Sequence, residues 1–153
     1  MNPQFLKRVD LFRGLDDTEL ADILMLGVVK DCADGEILFE EGTAGDRIYV
    51  IYRGAVRISR ILQHVGEEAL TLLQAGEFFG EMSFFDEEPR SARAIAHGPT
   101  QLLVIRNADL KTHLESRPEV ALRFLWSFCR TLSQRVRDTN SKFSTLFAIS
   151  RVF

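Results

Sequence analysis

Few residues of the reactive or rigid kinds occur in this chain of 153 residues, which has only two cysteines, three histidines and four prolines. Cys32 and Cys129 are too far apart along the sequence to form a redox or metal motif together, so a disulfide framework is not expected. No apolar run approaches the ~20 residues that span a bilayer, and the start of the chain lacks a signal-peptide pattern. These absences argue against secreted and membrane-spanning proteins, and we expect a reducing, cytoplasmic location.

A metal-dependent enzyme on a small β-barrel is also disfavoured by the scarcity of histidine. Such a site needs histidine and carboxylate ligands on neighbouring strands. His64 lies in an expected turn, His97 follows an expected strand, and His113 lies in an expected helix. We therefore predict no metal and no catalytic activity.

The composition is that of an ordinary globular domain, with 46% hydrophobic residues, 27% charged residues and a formal net charge of −3. A chain of this length buries roughly 68–70% of its unfolded surface, so one domain spanning residues 1–153 is expected. The charge is uneven, because residues 118–153 carry a net +4 and the preceding part a net −7. The basic charges are interleaved with apolar residues, which favours a solvated helix face over a nucleic-acid interface.

The first segment, residues 1–29, is predicted to be helical. Asp16 followed by Glu19 forms a capping-box pattern, and Gly27 is a natural end for the helix. Upstream apolar residues are expected to cover a neighbouring part of the core. These residues are Phe5, Leu6, Val9, Leu11, Phe12 and Leu15.

The middle segment, residues 30–106, has a sequence pattern typical of an antiparallel β-protein. Short runs rich in Ile, Val, Phe and Tyr are separated by recurring glycines. The Arg53-Gly54 pair predicts a tight hairpin between two of these runs. Many short strands with regular turns favour a jelly-roll (double-stranded β-helix) barrel. The predicted strands cover residues 37–39, 48–52, 55–59, 69–73, 92–96 and 101–105.

Helical periodicity returns in residues 107–153. Asn107 or Asp109 is expected to cap a short helix, and Pro118 to begin a long one that runs to about Phe147. This helix is too long for a small barrel to cover, so a homodimer through it is expected. One apolar stripe predicts its packing face. The stripe comprises Leu125, Phe128, Leu132, Val136, Phe143 and Phe147. Cys129 is expected in the core, and Trp126 either in the core or in the dimer contact.

Residues 78–92 combine the groups that an anionic ligand would need. A short helix after Gly80 offers free backbone N–H groups, and Arg90 can form a bidentate charge-assisted contact with the same anion, beside the Ser91 hydroxyl. Glu81 can accept a hydrogen bond from a sugar hydroxyl. The alternative for Arg90 is a surface ion pair with the neighbouring acidic residues, which are Asp86, Glu87 and Glu88.

Segments 79–85 and 89–92 closely resemble the phosphate-binding cassette of cyclic nucleotide-binding domains, as found in the bacterial catabolite activator protein family, kinase regulatory subunits and nucleotide-gated channels. Segments 34–42 and 45–56 also match the early strands of that family. The resemblance covers roughly residues 10 to 140. It implies a β-roll, with the cassette at 78–92, followed by a long C-terminal helix.

The resemblance also implies roles for individual residues. Glu81 would bind the ribose 2′-hydroxyl, Arg90 the cyclic phosphate, and Arg135 the purine, the last being placed only to within a helical turn. Considered without the resemblance, Arg135 is expected to be an exposed helix residue or an inter-helix contact. The complete expected site is Phe79, Gly80, Glu81, Met82, Ser83, Pro89, Arg90, Ser91, Ala92 and Arg135.

Cyclic AMP is the leading expected ligand, and cyclic GMP remains an alternative because the Ser91 hydroxyl can reach a guanine amino group in some relatives. A cyclic dinucleotide is a further alternative. The expected function is a stand-alone sensor that signals to a protein partner through its C-terminal helix, without direct DNA binding if the chain is complete. The alternatives are a transcription-regulator fragment without its helix-turn-helix module and a nucleotide-independent dimeric scaffold.

Overall fold

The computed structural model describes residues 1–150, with the side chains of 146, 149 and 150 left out. A six-stranded antiparallel sheet is flanked by helices on both sides in sequence, and a long helix ends the described chain. The expected fold class, mainly β with flanking helices, is confirmed. Two 3₁₀ turns, Pro3–Arg8 and Asp10–Phe12, precede the other elements, which are α1 (Asp17–Leu26), β1 (Gly27–Cys32), β2 (Ile37–Phe39), β3 (Arg47–Leu62), β4 (Gly66–Gln74), β5 (Phe78–Phe79), α2 (Met82–Phe85), β6 (Arg93–Arg106), α3 (Asn107–Glu115) and α4 (Pro118–Ser150).

The two long strands β3 and β6 form the centre of the sheet. The strand order is β1-β6-β3-β4, while β2 pairs with β6 and β5 pairs with β3. All the pairings are antiparallel. Strand β5 pairs with β3 near the start of β3, at Tyr49 and Val50. The ring of Phe39 at the end of β2 packs on Tyr49 and Phe79, so residues of three strands meet there.

The hairpin predicted at Arg53-Gly54 is wrong, because β3 continues through this pair as one 16-residue strand. The register with β6 shifts on both sides of Arg53, so the strand is bulged there. Gly54 has φ +82°, and a Cβ on it would lie 2.5 Å from the Pro99 carbonyl oxygen. A bulge pressed against a neighbouring strand and a tight turn both require glycine, which explains the misinterpretation.

Other boundaries also differ from the prediction. The strands expected at 92–96 and 101–105 are one continuous strand, β6, and the sheet begins at Gly27 rather than at residue 30. The predicted capping box is confirmed, since the Asp16 side chain accepts from the Glu19 N–H while the Glu19 side chain accepts from the Asp16 N–H. Neither Asn107 nor Asp109 caps α3, whose N-cap position is Arg106. The last three residues of the predicted segment 107–153 lie outside the described residues.

The helices and 3₁₀ turns build one core cluster at the end of the sheet, as expected for the N-terminal apolar residues. Phe12 packs against Phe124 of α4 with ring centroids 6.1 Å apart, and both side chains are almost fully buried. A second cluster fills the interior of the sheet. The N-terminal half of α4 is thereby fixed on the domain.

The packing face of α4 differs from the predicted stripe. The buried apolar residues in the described part of α4 are Val120, Phe124 and Phe128, while Leu125 and Val136 of the stripe are exposed. Leu132 is half-buried, as the stripe predicts, and Phe143 and Phe147 are exposed in the part of the helix that was expected to extend beyond the barrel. Trp126 is 61% exposed and Cys129 is exposed, so neither lies in the core as predicted, and for Trp126 the alternative of a dimer contact remains. The apolar residues of α4 therefore form two faces, one against the domain and one towards solvent.

Candidate functional site

A cavity of about 340 Å³ lies between α2, the sheet and α4. The structure brings nine of the ten predicted site residues to its wall. These are Phe79, Gly80, Glu81, Met82, Ser83, Arg90, Ser91, Ala92 and Arg135. Pro89 is the exception, because it lines a separate surface depression beside Gly42 and Lys111. The prediction that Pro89 contacts the ligand is therefore not supported by its placement.

The backbone at Gly80 is shaped for a close approach. Gly80 has φ +77°, and a Cβ there would lie 2.7 Å from Arg90 Nη1 and 3.1 Å from the Arg47 carbonyl oxygen. Only glycine fits both the conformation and the space. The chain then turns through Glu81 into the single-turn helix α2, so that Gly80, Glu81 and Arg90 face one cavity.

Arg90 is a buried cation held by neutral groups. Its side chain donates from Nη1 to the Gly80 carbonyl oxygen at 2.8 Å and from Nη2 to the Arg47 carbonyl oxygen at 2.9 Å. The residue is 4% exposed, and its Nε is buried without a hydrogen-bond partner. No ion pair of Arg90 occurs within the described chain, so the alternative of a pair with the acidic residues at 86–88 is wrong. Burial lowers the pKa of Arg90 from its ordinary value, although arginine stays protonated in proteins.

Glu81 is also buried, but it has a charged partner. Arg135 of α4 donates from Nη1 to Glu81 Oε1 at 2.5 Å and from Nη2 to the Phe78 carbonyl oxygen at 2.8 Å. Burial raises the pKa of Glu81, and the positive charges of Arg135 and Arg90 oppose that rise. Arg135 is half-buried and contacts the cassette rather than solvent or another helix, which neither expectation for it included, and its contact with a purine stays a prediction.

The remaining cassette residues line the cavity with less specific contacts. The Ser91 hydroxyl is exposed and its nearest polar partner is Met82 Sδ at 3.5 Å. Ser83 and Ala92 are buried. Behind them lies Gly45, where a Cβ would come within 2.3 Å of Ser83 Oγ and 2.9 Å of Arg90 Cζ. Gly45 thus supports the cassette from outside the cavity, although the sequence analysis did not include it among the site residues.

The cavity has two further walls that sequence reasoning missed. Apolar residues of the sheet form one wall, and exposed polar residues one to two turns beyond Arg135 form the other. Periodicity marks these positions only as strand or helix faces, so it gave no signal that they share a cavity. The missed lining residues are Phe39, Ile58, Leu70, Thr71, Leu73, Glu77, Asp138, Thr139 and Lys142.

This arrangement suits a ligand that carries an anion, a hydroxyl group and an apolar or planar part. Arg90 offers hydrogen-bond donors with an uncompensated positive charge, Glu81 offers a carboxylate acceptor, and the sheet offers the apolar wall. Within residues 1–150, no cluster of His, Cys, Asp or Glu side chains is suited to hold a metal ion. No helix in that range has the length and apolarity to cross a bilayer.

Comparison with known proteins agrees with this chemistry. The sequence model of the family described as "Cyclic nucleotide-binding domain" matches residues 29–117. The "CRP-like cAMP-activated global transcriptional regulator" of Mycobacterium tuberculosis is 30% identical over 143 residues, covering 94% of this chain and 62% of that protein. The "Cyclic AMP receptor protein" of Thermus thermophilus is 33% identical over 143 residues, covering 92% and 63% respectively. The chain thus spans somewhat less than two thirds of the length of these curated relatives.

Among solved structures, the N-terminal domain of a transcriptional regulator from Streptomyces coelicolor superposes with a TM-score of 0.76 at 36% identity. The match covers 91% of this chain and 94% of that one.

Proposed function

The chain belongs to the cyclic nucleotide-binding domain family, and from this premise we propose that it is a regulatory module whose ligand is cyclic AMP. Cyclic GMP and a cyclic dinucleotide are the competing ligands. The observation that carries the proposal is the cavity that contains Arg90, a buried cation without a carboxylate partner in the described chain, together with Glu81, which lies nine positions earlier in the sequence. An apolar wall lies beside them, as a nucleotide base requires.

In the proposed complex, the cyclic phosphate binds at Arg90. The phosphate supplies the acceptor oxygens that a guanidinium donor recognises, and charge-assisted hydrogen bonds of this kind are about twice as strong as neutral ones. The Ser91 hydroxyl and the backbone of Gly80, Met82 and Ser83 line the same end of the cavity. Because Arg90 is held by carbonyl groups, the phosphate meets it without first displacing an anion.

The ribose and base extend from the phosphate towards α4. The 2′-hydroxyl donates to the Glu81 carboxylate, whose other contact is Arg135. The base then occupies the space between the apolar sheet wall and α4, where Thr139 and Lys142 lie. Ligand and helix thereby share one carboxylate, and we expect ligand occupancy to change the contacts of α4.

The proposed output is a change in α4 that a protein partner detects, within a homodimer formed by this helix. Support for the dimer comes from the solvent-exposed apolar face of α4, where Leu122, Cys129, Val136 and Phe143 recur at every seventh position. A seven-residue apolar period is typical of a helix that pairs with another helix. A purely catalytic role has no support from the residues of the cavity.

The names and lengths of the relatives favour a second candidate. The M. tuberculosis relative is named as a transcriptional regulator and extends beyond the matched region. The chain is then the sensor part of such a regulator, and DNA binding depends on residues outside this sequence. Joining the chain to a DNA-binding module leaves the nucleotide site unchanged, so both candidates predict the same ligand.

Isothermal titration calorimetry with cyclic AMP, cyclic GMP and cyclic di-GMP tests the proposal. We expect saturable binding of cyclic AMP, lost in Arg90→Gln and retained in Arg60→Gln, which changes an exposed arginine paired with Glu41. Ser91→Ala is expected to weaken cyclic GMP binding more than cyclic AMP binding. No heat from any nucleotide with folded protein would overturn the proposal in favour of a nucleotide-independent scaffold. Equal affinity in Arg90→Gln would overturn the placement of the phosphate at Arg90.

A further inference from the structure

We propose that Phe39 is a positioning residue for Arg90. Its aromatic ring holds the guanidinium in place at the cavity wall and keeps its charge available to an anionic ligand. This inference rests on the proposed function, because it concerns the same phosphate contact, and it adds a residue that the sequence analysis did not assign to the site.

The geometry is that of a cation–π contact. Arg90 Cζ lies 4.3 Å from the centroid of the Phe39 ring and 5.8 Å from that of Tyr49, and attraction between a guanidinium and a ring face extends to about 6 Å. The contact strengthens when the cation is removed from water, and Arg90 is 4% exposed. The ring therefore compensates part of the cost of burying this charge.

The aromatic ring and the two carbonyl groups that contact Arg90 carry no net charge, whereas a carboxylate carries a negative charge. The Gly80 and Arg47 carbonyl groups and the Phe39 ring stabilise Arg90 without neutralising it. Two carboxylates act on Arg90 electrostatically, those of Asp46 and Glu81. Each of them is paired with another arginine, Asp46 with Arg47 at 3.5 Å and Glu81 with Arg135 at 2.5 Å.

Arg135 provides an internal comparison. Its Cζ also lies over a ring, 4.6 Å from the centroid of Phe78, yet its charge is already matched by Glu81. An aromatic contact is thus common to both arginines of the cavity, and only Arg90 combines it with neutral partners. We therefore assign binding of the ligand's anionic group to Arg90, and a structural ion pair with Glu81 to Arg135.

The Phe39 ring is itself fixed by a three-ring platform, defined as Phe39, Tyr49 and Phe79. Tyr49 and Phe79 stack at 4.9 Å with an interplanar angle of 6°, and Phe39 packs on them at 5.6 Å and 5.9 Å. Tyr49 and Phe79 are paired across β3 and β5, and Phe39 ends β2. Residues of three strands, β2, β3 and β5, thereby fix the position of the Arg90 guanidinium.

Fluorination of the ring gives a direct test, because each fluorine weakens the quadrupole that attracts a cation while changing the ring volume little. We would incorporate mono-, di- and trifluorophenylalanine at position 39 and titrate cyclic AMP. The expected result is a stepwise loss of affinity, reaching about tenfold for the trifluoro ring. The same series at Phe12, a buried ring that packs on Phe124 outside the cavity, is expected to be flat.

Conventional variants supply a second measurement. Phe39→Tyr and Phe39→Trp keep a ring face and are expected to bind cyclic AMP within about threefold of the original chain, whereas Phe39→Leu is expected to lose about tenfold or more. A flat fluorine series at position 39 in a chain that binds cyclic AMP would overturn this inference and leave the proposed function intact. Absence of cyclic AMP binding in the unmodified chain would overturn both.

Discussion

Arg135 of α4 and Glu81 of the cassette, 54 positions apart in sequence, are joined by an ion pair in which Nη1 lies 2.5 Å from Oε1. The carboxylate is buried, and the same arginine donates to the Phe78 carbonyl oxygen. This side chain thus connects the long helix both to the proposed ribose acceptor and to strand β5. A ligand that contacts Glu81 therefore acts on a group that α4 already contacts.

Removal of the arginine is expected to destabilise the chain and to separate α4 from the cavity. In Arg135→Ala the buried Glu81 carboxylate loses its partner, and an unsatisfied buried polar group costs about 1–3 kcal/mol, with charged groups at the upper end. Urea unfolding measures this loss. Arg137→Ala is the control, because Arg137 lies on the same helix and is exposed.

Hydrogen exchange then tests the coupling. We expect cyclic AMP to alter amide protection in the second half of α4 in the original chain and in Arg137→Ala, but not in Arg135→Ala. An unchanged response of α4 in Arg135→Ala would show that the helix senses the ligand by another route.

The affinity for cyclic AMP is expected to rise with pH. Burial raises the pKa of Glu81 above its ordinary value of 4.5, and the ribose hydroxyl donates to the charged carboxylate. Binding therefore favours the deprotonated form, and affinity falls as pH drops through the raised pKa. Calorimetry between neutral and acidic pH measures the slope. Glu81→Gln should bind weakly at every pH without this slope, whereas Glu88→Gln, an exposed change in the neighbouring loop, should retain it.

The raised pKa of Glu81 also determines how its contribution to folding stability changes with pH. A carboxyl group whose pKa is raised by folding binds its proton more tightly in the folded chain than in the unfolded one. Its contribution therefore favours the folded state at low pH, and that contribution is lost as pH rises from 4.5 through the raised pKa. Glu67 has the opposite sign, because a hydrogen bond from Ser59 lowers its pKa, so its contribution is lost as pH falls below 4.5.

Gly80 offers a matched pair of alanine substitutions. Gly80 and Gly98 share φ +77°, but a Cβ at Gly80 meets Arg90 Nη1 at 2.7 Å whereas a Cβ at Gly98 meets nothing within 4 Å. Both alanines carry the left-handed backbone cost of about 1–2 kcal/mol. Gly80→Ala should additionally displace Arg90 and weaken cyclic AMP binding at least tenfold, while Gly98→Ala keeps the affinity. Equal affinities in the two variants would contradict the role assigned to Arg90.

Sequence reasoning located the cassette because its signals are local. Gly80, Glu81 and Arg90 lie within 11 consecutive positions, so the pattern is readable there, although both Gly80 and Arg90 also meet the distant Arg47 carbonyl oxygen. The bulge at Gly54 was misinterpreted as a hairpin because its cause is a contact with Pro99, 45 positions away. A glycine in the sequence suggests a positive φ, but the sequence does not show which distant residue lies against it.

The packing of the long helix α4 also depends on long-range contacts that the sequence pattern does not show. The preference of proline for the first position of a helix correctly predicted that α4 begins at Pro118, but apolar periodicity merged two faces into one stripe. Phe124 and Phe128 pack on the domain, while Val136 lies on the exposed face. Which face meets the domain depends on the position of the 3₁₀ turns at the N-terminus, and that relationship is long-range. The ion pair of Arg135 depends on the same docking.

The exposed face of α4 makes Cys129 a reporter for the proposed dimer. Leu122, Cys129, Val136 and Phe143 are spaced by seven residues and exposed, so in a parallel, in-register pair of helices the two Cys129 side chains face each other. Oxidation by oxygen with copper phenanthroline should then join two thiols into one disulfide, with two protons and two electrons leaving to oxygen. We expect a covalent dimer of twice 17.4 kDa.

Cysteine variants identify the residue responsible. Cys129→Ser should abolish the cross-link, whereas Cys32→Ser should keep it, because Cys32 is buried. Light scattering without oxidant is expected to give the mass of two chains, and Val136→Asp should reduce it to one by placing a charge on the apolar face. A single-chain mass for the unmodified protein at micromolar concentration, together with no Cys129 cross-link, would refute this dimer. Val136→Asp should leave the first half of α4 docked, since Phe124 and Phe128 anchor it, so the variant separates assembly from folding.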